Sequence, residues 1–220
     1  MVKHINNTMS HNKIEENKLI WYPENGIGYY PVKDPVYDDG YFKKYEEYES
    51  TLKGKQIVIA RINIINKYTF GKTLDIGIGS GYLIKNRENT YGYDVNPRGI
   101  QWLENQELYV NPYADCIDNF KAITFFDSFE HIKNPEKLIK KIGKQYIIIS
   151  IPIFENMNHV LKSKHFRKSE HYHYYTDKGL KYLMKSFGFE VIEIDDFETK
   201  IGREDIKTYV FKRYSIKGEV

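Results

Sequence analysis

Three glycines at alternating positions, Gly77, Gly79 and Gly81, close the segment LDIGIGSG (74–81). Asp75 stands two residues ahead of the first, and Asp94 follows Asp75 by nineteen positions, at the end of the apolar run TYGYD (90–94). Glycine removes side-chain bulk, so a ligand or another segment can approach the main chain there. A helix opening at Gly81 would turn its free N–H groups and positive end toward whatever lies over the turn. A second constellation, DSFEH (127–131), places Asp127, Glu130 and His131 directly after the apolar run ITFF (123–126). In a helical turn, spacings of three and four bring these side chains to one face. Two carboxylates and an imidazole can hold a divalent cation, or the imidazole can act as a base oriented by a carboxylate. The plainer account is a helix-start carboxylate, a solvated glutamate and a packed histidine. Downstream, KSKHFRKSEHYHYYT (162–176) adds His165, His171 and His173, either as further metal ligands or as surface histidines of a polar loop.

These groups need rigid elements behind them. Residues 73–76 have the short apolar character of a buried strand, and Asp94 lies close to the roughly 20-residue offset at which a second-strand carboxylate meets ribose hydroxyls. An adenosine-bearing ligand fits both features. The spacing is G-x-G-x-G, not the G-x-G-x-x-G that seats a pyrophosphate, and an acid beside the turn repels phosphate. Asp75 favours instead the ammonium and sulfonium of S-adenosylmethionine (SAM).

The hydrophobic pattern predicts strands near 73–76, 91–94, 107–110, 122–126, 145–150, 189–194 and 207–212, and helices near 81–87, 98–105, 135–142 and 176–187. Asn134-Pro135 is a helix start, and Thr176 followed by Leu180, Leu183, Met184 and Phe187 before Gly188 is a capped amphipathic helix. Val58, Ile62 and Ile65 have the spacing of a helix over 53–67 that packs on the sheet. Alternating strands and helices imply a parallel sheet. Residues 1–50 divide into a polar arm, to about residue 20, and a Tyr-, Gly- and Pro-rich lid or strap, and residues 51–220 form the α/β domain. Tyr41 and Tyr45 share one face of a helix opened by Asp39 or Gly40, the arrangement expected of a lid.

On these residues the chain resembles the class I SAM-dependent methyltransferases, whose first motif is an acid followed by G-x-G-x-G and whose second is an acid closing strand two. AITFFDSFEHIKNPEKL (122–138) resembles the fourth-strand region of the branch that includes ubiquinone-biosynthesis O-methyltransferases, and residues 176–194 resemble its late helix and strand. The SKHFRKSEH and GREDI segments look like those of uncharacterised bacterial and bacteriophage methyltransferases. The resemblance covers about 72–194. It implies a Rossmann-like α/β fold with a mostly parallel seven-stranded sheet, helices on both faces and a final antiparallel strand, here at 208–212. It implies a SAM site built from Asp75, Gly77, Gly79, Gly81, Asp94 and Val95, with Asp115 near the adenine and Phe126 at the mouth of strand four.

DSFEH is also similar to the E-x-x-E-H segment of small-RNA 3′-terminal 2′-O-methyltransferases, which carry a later histidine five residues before a helix-opening threonine. That likeness implies Asp127, Glu130, His131 and His171 as ligands of a divalent cation (Mg, Mn or Zn). His131 or His171 is the implied proton acceptor where no metal binds. Asp127 replaces the first glutamate, and its shorter side chain either retracts that ligand or admits water. The expected reaction is methyl transfer to a hydroxyl of a small molecule or saccharide. Alternatives are an RNA or nucleotide 2′-hydroxyl acceptor, and a SAM-binding regulator without catalysis. A nicotinamide dehydrogenase is disfavoured by the glycine spacing.

Composition fits such an enzyme: 220 residues, 41% hydrophobic and 29% charged, suit one ordinary domain with appendages. With 33 basic and 30 acidic residues no global field demands nucleic acid, although LKSKHFRK (161–168) could hold phosphate on its basic residues while Phe166 stacks a base. The single cysteine, Cys116, excludes an intramolecular disulfide framework and is expected as a small buried hydrophobe. The polar start and the absence of any run near 18 apolar residues lead to the expectation of a cytoplasmic protein without a membrane partner.

Overall fold

The structure, a computed structural model, describes residues 18–33 and 39–214. Most of the expected N-terminal arm lies outside the described residues, as does the side chain of Tyr41. A β-hairpin comes first, β1 (Ile20–Tyr22) and β2 (Ile27–Tyr29), followed by α1 (Asp39–Ser50) and α2 (Leu52–Tyr68). The alternating core follows: β3 (Thr73–Ile76), α3 (Tyr82–Asn86), β4 (Thr90–Tyr93), α4 (Pro97–Asn105), β5 (Ala122–Phe126), α5 (Pro135–Ile139) and β6 (Tyr146–Phe154). The described residues close with α6 (Met157–Lys162), β7 (His173–Thr176), α7 (Asp177–Ser186), β8 (Phe189–Asp195), α8 (Phe197–Lys200) and β9 (Ile206–Arg213).

The strands form one sheet in the order β1-β2-β7-β6-β5-β3-β4, with β9 pairing β6 and β8. Strands β4, β3, β5 and β6 are parallel, and β9 runs antiparallel between β6 and β8. The Rossmann-like α/β expectation, with its late antiparallel strand, therefore holds. The strand count does not, because nine strands among the described residues replace seven. Residues 107–110 are reduced to a single parallel bridge, Gly92 to Tyr109, and β1, β2 and β7 are additions. The short β7 is HYYT, whose two tyrosines are fully buried, so residues expected in a polar loop in fact form and flank a strand.

Strand β6 explains how the additions attach. It has nine residues; its first part pairs β5 and β9, and its last two residues, Ile153 and Phe154, pair β7. The hairpin then extends β7 in antiparallel register. Gly26 makes this junction possible: its φ is +67°, and a Cβ there would lie 2.2 Å from Thr176 Oγ1. That hydroxyl donates to Gly26 O (3.0 Å) and accepts from Gly179 N (3.0 Å), so one threonine caps α7 and anchors the hairpin.

Helix α2 packs Ile64, Ile65 and the half-buried Ile62 on the face of the sheet that carries Ile148 and Val210, and its buried Ile57 and Val58 border the cavities at the end of the sheet. The larger core on the other face gathers Leu74, Ile123, Phe125, Ile147, Leu180 and Phe211, all fully buried. Each such side chain contributes about 1.5–3 kcal/mol of transfer free energy. Cys116 departs from expectation: it is exposed, in the loop before β5, with Sγ 3.5 Å from Asp118 Oδ2. Among the described residues no helix is long and apolar enough to cross a membrane.

Candidate functional site

A cavity of about 580 Å³ opens at the carboxyl ends of β3, β4 and β5, where open α/β sheets bind ligands. Its walls include Asp75, Gly77, Gly79, Asp94, Val95 and Phe126 from the expected set. They also include Tyr93, Asn96, Tyr113, Ser128 and Lys133, to which the motifs assign no role. Gly81 and Asp115 do not line it. Gly81, with φ +76°, begins α3, and a Cβ there would meet Trp102 at 2.6 Å. Its glycine is therefore required by internal packing. Asp115 is exposed and closes its own loop by accepting from Asn111 N (2.7 Å); Tyr113, edge-on to Tyr93 with centroids 5.7 Å apart, faces the cavity instead.

The glycine turn owes its shape to the neighbouring strand as well. Gly77 has φ +81°, and a Cβ would lie 2.5 Å from Ser128 Cβ; the Ser128 hydroxyl donates to Ile76 O. The loops after β3 and β5 thus touch, and the cavity extends from this contact toward Phe126, His131 and Lys133 at and after β5 and toward Tyr93 and Asp94 at the end of β4. There Asp94 accepts from Val95 N (2.7 Å) and Asn96 N (2.8 Å), and also from the backbone N–H groups of Ile78 and Gly79. Burial raises its pKa even against these four bonds. Asp75 lies deeper, accepting from Thr124 Oγ1 at 2.6 Å, and burial pushes it up to about 7 with the Thr124 bond opposing.

Behind Phe126 the chain turns through Asp127 (φ +56°) into a short 3-10 turn, Phe129–His131. This geometry splits the DSFEH group. Asp127 faces α2 and the loop before β9, where Arg61 Nη2 (2.6 Å) and Arg203 Nη2 (2.8 Å) bind its two oxygens. Both arginines also bind the buried Glu198, Arg61 Nε at 2.8 Å. Burial works to raise the Asp127 carboxyl, but Arg203 and Arg61 override it and hold it far below the usual carboxylate range. The expectation that Asp127 ligates a metal is thereby corrected: its oxygens are occupied by two guanidinium groups. Nothing in the spacing of DSFEH announces partners 66 and 76 residues away.

Glu130, His131 and His171 do come together. Tyr172 N donates to Glu130 O (2.9 Å), tying the 3-10 turn to the segment before β7. The imidazoles of His131 and His171 lie 4.6 Å apart at 74°, His171 Nε2 is 4.0 Å from Glu130 Oε1, and ligand atoms of the three residues all fall within 4.8 Å of one another. Glu130 Oε2 is buried and has no hydrogen-bond partner among the described residues. Burial, reinforced by the Asp127 charge, pushes Glu130 up to about 8; burial lowers His131 to about 4, and burial with the neighbouring His131 holds His171 well below the ordinary histidine value. These three residues surround a small side cavity of about 70 Å³, also bordered by Tyr45, Tyr48 and Arg203, and His131 lines both spaces.

The other histidines are structural neighbours. His165 Nε2 meets Glu204 O (2.9 Å), and His173 lies on β7 with its ring 3.3 Å from Lys133 O. Phe166 is spent on internal contacts, edge-on to Tyr30 and Tyr174, so it presents no free ring for a base. Arg203 of GREDI resolves as the buried ion pair described above, and Glu204 pairs with Lys164 (3.1 Å).

Residues 58–194, more than half of the chain, match the family model described as Methyltransferase domain (Methyltransf_23). The chain belongs to this methyltransferase family. It is an enzyme that uses SAM. No curated protein matches the methyltransferase. Among solved structures it is similar to a SAM-dependent methyltransferase from Clostridium acetobutylicum, with 17% identity, a TM-score of 0.57 and coverage of 80% of this chain and 100% of that one. A possible histamine N-methyltransferase from Thermotoga maritima aligns at 14% identity and TM-score 0.58, over 80% and 97% of the two chains. Magnesium protoporphyrin IX methyltransferase from Synechocystis, solved with bound SAH, aligns at 11% identity and TM-score 0.52, over 83% and 90%. At these identities the likeness concerns the fold.

Proposed function

We propose that the methyltransferase seats SAM in the cavity at the glycine turn and transfers its methyl group to a hydroxyl of a small molecule or saccharide, assisted by a divalent cation held by Glu130, His131 and His171. The observation that carries this reading is His131, a wall shared by the cofactor cavity and the Glu130–His171 pocket. An acceptor oxygen there would meet the cofactor on one side and the proton-accepting groups on the other. Bound SAM supplies a methyl carbon activated by its sulfonium, and a divalent cation supplies the charge that lowers a hydroxyl pKa.

This chain's residues do the rest. Asp94 shares its carboxylate between backbone N–H groups and the ribose hydroxyls, Val95 and Tyr113 flank the adenine end, and Asp75 favours the cationic end of the cofactor. The turn at Gly77 and Gly79 brings main-chain atoms to the cofactor. The methyl group would pass from the sulfonium to the hydroxyl oxygen with the carbon–sulfur electron pair left on sulfur; with no cation bound, His131 or His171 would accept the hydroxyl proton, and with both imidazoles on a cation the lowered hydroxyl pKa would let that proton leave to water. Burial keeps both imidazoles neutral at pH 7, the form that accepts a proton or ligates a metal. Two imidazoles and one carboxylate, the carboxylate with an unpartnered buried oxygen, fit zinc or manganese better than magnesium, which prefers oxygen ligands. Tyr45 of α1, lining both cavities, serves as the lid over the acceptor.

Calorimetry tests the cofactor roles: Asp94→Ala is expected to weaken SAM binding by roughly 10- to 100-fold, as loss of charge-assisted hydrogen bonds implies, and unchanged affinity would remove the ribose role. Labelled SAM offered with fractionated small molecules, oligosaccharides and RNA identifies the acceptor. Label appearing only in RNA, or only on nitrogen, would overturn the assignment of a small-molecule or saccharide hydroxyl.

A further inference from the structure

The end of the sheet opposite the cavity carries a feature that methyl transfer does not use. Strands β3, β5, β6 and β9 are consecutive neighbours, and each places a lysine at this rim: Lys72 before β3, Lys121 before β5, Lys144 before β6 and Lys212 near the end of β9. At a strand spacing of about 4.8 Å, the row spans roughly 15 Å. Its members are physically linked. Lys121 N donates to Lys72 O (2.7 Å), and Lys212 Nζ donates to Lys144 O. Lys72, Lys121 and Lys144 are exposed, and none forms an ion pair among the described residues.

Aromatic rings are interleaved with this charge. Lys72 Nζ lies 5.1 Å from the Tyr91 ring centroid and Lys212 Nζ 3.7 Å from that of Tyr146. Phe70, in the loop between α2 and β3, is 77% exposed. Its neighbour Gly71 packs against Lys121, where a Cβ would lie 2.6 Å from Lys121 Cγ. Acids bound the row on the β8 side: Glu190 stands across the ladder from Lys212, and Glu193 is taken by Lys67 and Tyr68. Helix carboxyl ends at this rim account for some basic charge; they do not account for a ring left in solvent beside it.

We propose that this rim binds single-stranded nucleic acid, with Lys72, Lys121, Lys144 and Lys212 meeting successive phosphates and Phe70 stacking on a base. A row of unpaired cations matches a polyanion backbone, and a free ring beside it offers the sequence-tolerant stacking by which single strands are held. An acidic protein would use the charge and leave Phe70 without a role; an anionic membrane would use both, with Phe70 as an interfacial anchor, and the vesicle arm of the test separates it from a single strand. The surface lies away from the methyl-transfer cavity, so it anchors the strand without presenting it for reaction, and it stands independently of the acceptor assignment above.

The test is fluorescence anisotropy of the full chain with labelled single-stranded poly-uridine RNA at a series of salt concentrations. Four phosphate contacts predict a log–log salt slope of about −3, at about 0.7 per contact. The double variant Lys121→Ala/Lys144→Ala should halve the slope. Phe70→Ala should weaken binding roughly tenfold at unchanged slope. Thermal melts matching the wild type establish that the variants fold. The proposal is overturned if RNA does not bind, if the lysine variant keeps the wild-type slope, or if Phe70→Ala binds RNA as well as wild type. It also fails if vesicles containing phosphatidylserine compete for the rim and Phe70→Ala alters neither interaction.

Discussion

Replacing Asp75 by asparagine should stabilise the protein without its cofactor, by an amount that depends on pH. Asp75 lies in β3, 3% exposed, with Thr124 Oγ1 as its hydrogen-bond donor. Burial raises its pKa from 3.8 to about 7. A raised carboxyl pKa contributes stability that is fully present below the unfolded value and is lost as pH rises through the folded one. Between these limits the unfolded chain releases a proton that the folded chain retains, so each unit costs the fold about 1.4 kcal/mol. The full span amounts to about 4 kcal/mol, an upper figure because denatured chains keep some structure. Asparagine preserves an acceptor for Thr124 and has no charge to bury. Urea denaturation of the two proteins should therefore give nearly equal stability at pH 4 and a lead for Asp75→Asn of about 2–4 kcal/mol at pH 8. The difference between the proteins isolates Asp75 from other titrating groups. A lead of the same size at both pH values, or none at pH 8, would refute the burial reasoning. Saturating SAM should narrow the gap at pH 8, because a cation beside the carboxylate favours its ionised form.

Asp127→Ala leaves Arg61 and Arg203 facing a single buried partner, Glu198, and should cost about 3–5 kcal/mol in denaturant unfolding; a loss below about 1 kcal/mol would mean that the ion pairs are not formed. Gly81→Ala forces a left-handed residue against Trp102 and should lower stability by about 2–3 kcal/mol with SAM affinity changed less than threefold, since Gly81 is off the cavity; a large affinity loss in calorimetry at full folding would return it to the site. Glu130→Gln resembles the protonated form that burial favours at pH 7, so its metal-free melting temperature should stay at the wild-type value. The upward shift that zinc or manganese gives the wild type should disappear in Glu130→Gln and in His171→Ala, and equal shifts in all three proteins would remove the metal proposal.

Much of the fold is legible in the chain because short-range rules govern it. Apolar runs of four or five residues mark β3, β5 and the start of β6, and the Thr176 cap marks α7, since strand burial and capping are local events. The strand expected at 107–110 shrinks to one bridge because a short apolar run, Leu108 to Val110, in a polar loop satisfies the same pattern while gaining little pairing. The hairpin and β7 escape the pattern because their tyrosines and histidines have the composition of a loop. They become strands only when the long β6 projects past β5 and offers Ile153 and Phe154 as an edge to pair with.

The sequence by itself determined the glycine-turn end of the cavity. Gly77, Gly79 and Asp94 lie on consecutive elements of one β-α-β unit, so their meeting depends on local spacing alone. It also determined that Glu130 and His131 would stand at the mouth of β5. Tertiary structure alone decided the rest. It removed Gly81 and Asp115 from the cavity and gave Asp127 to Arg61 and Arg203. It also aligned four lysines from distant segments on one rim. Each of these outcomes is a long-range contact between side chains, set by which strands lie side by side and by the cost of leaving a buried charge unpaired. Neither is written in the spacing of residues along a chain.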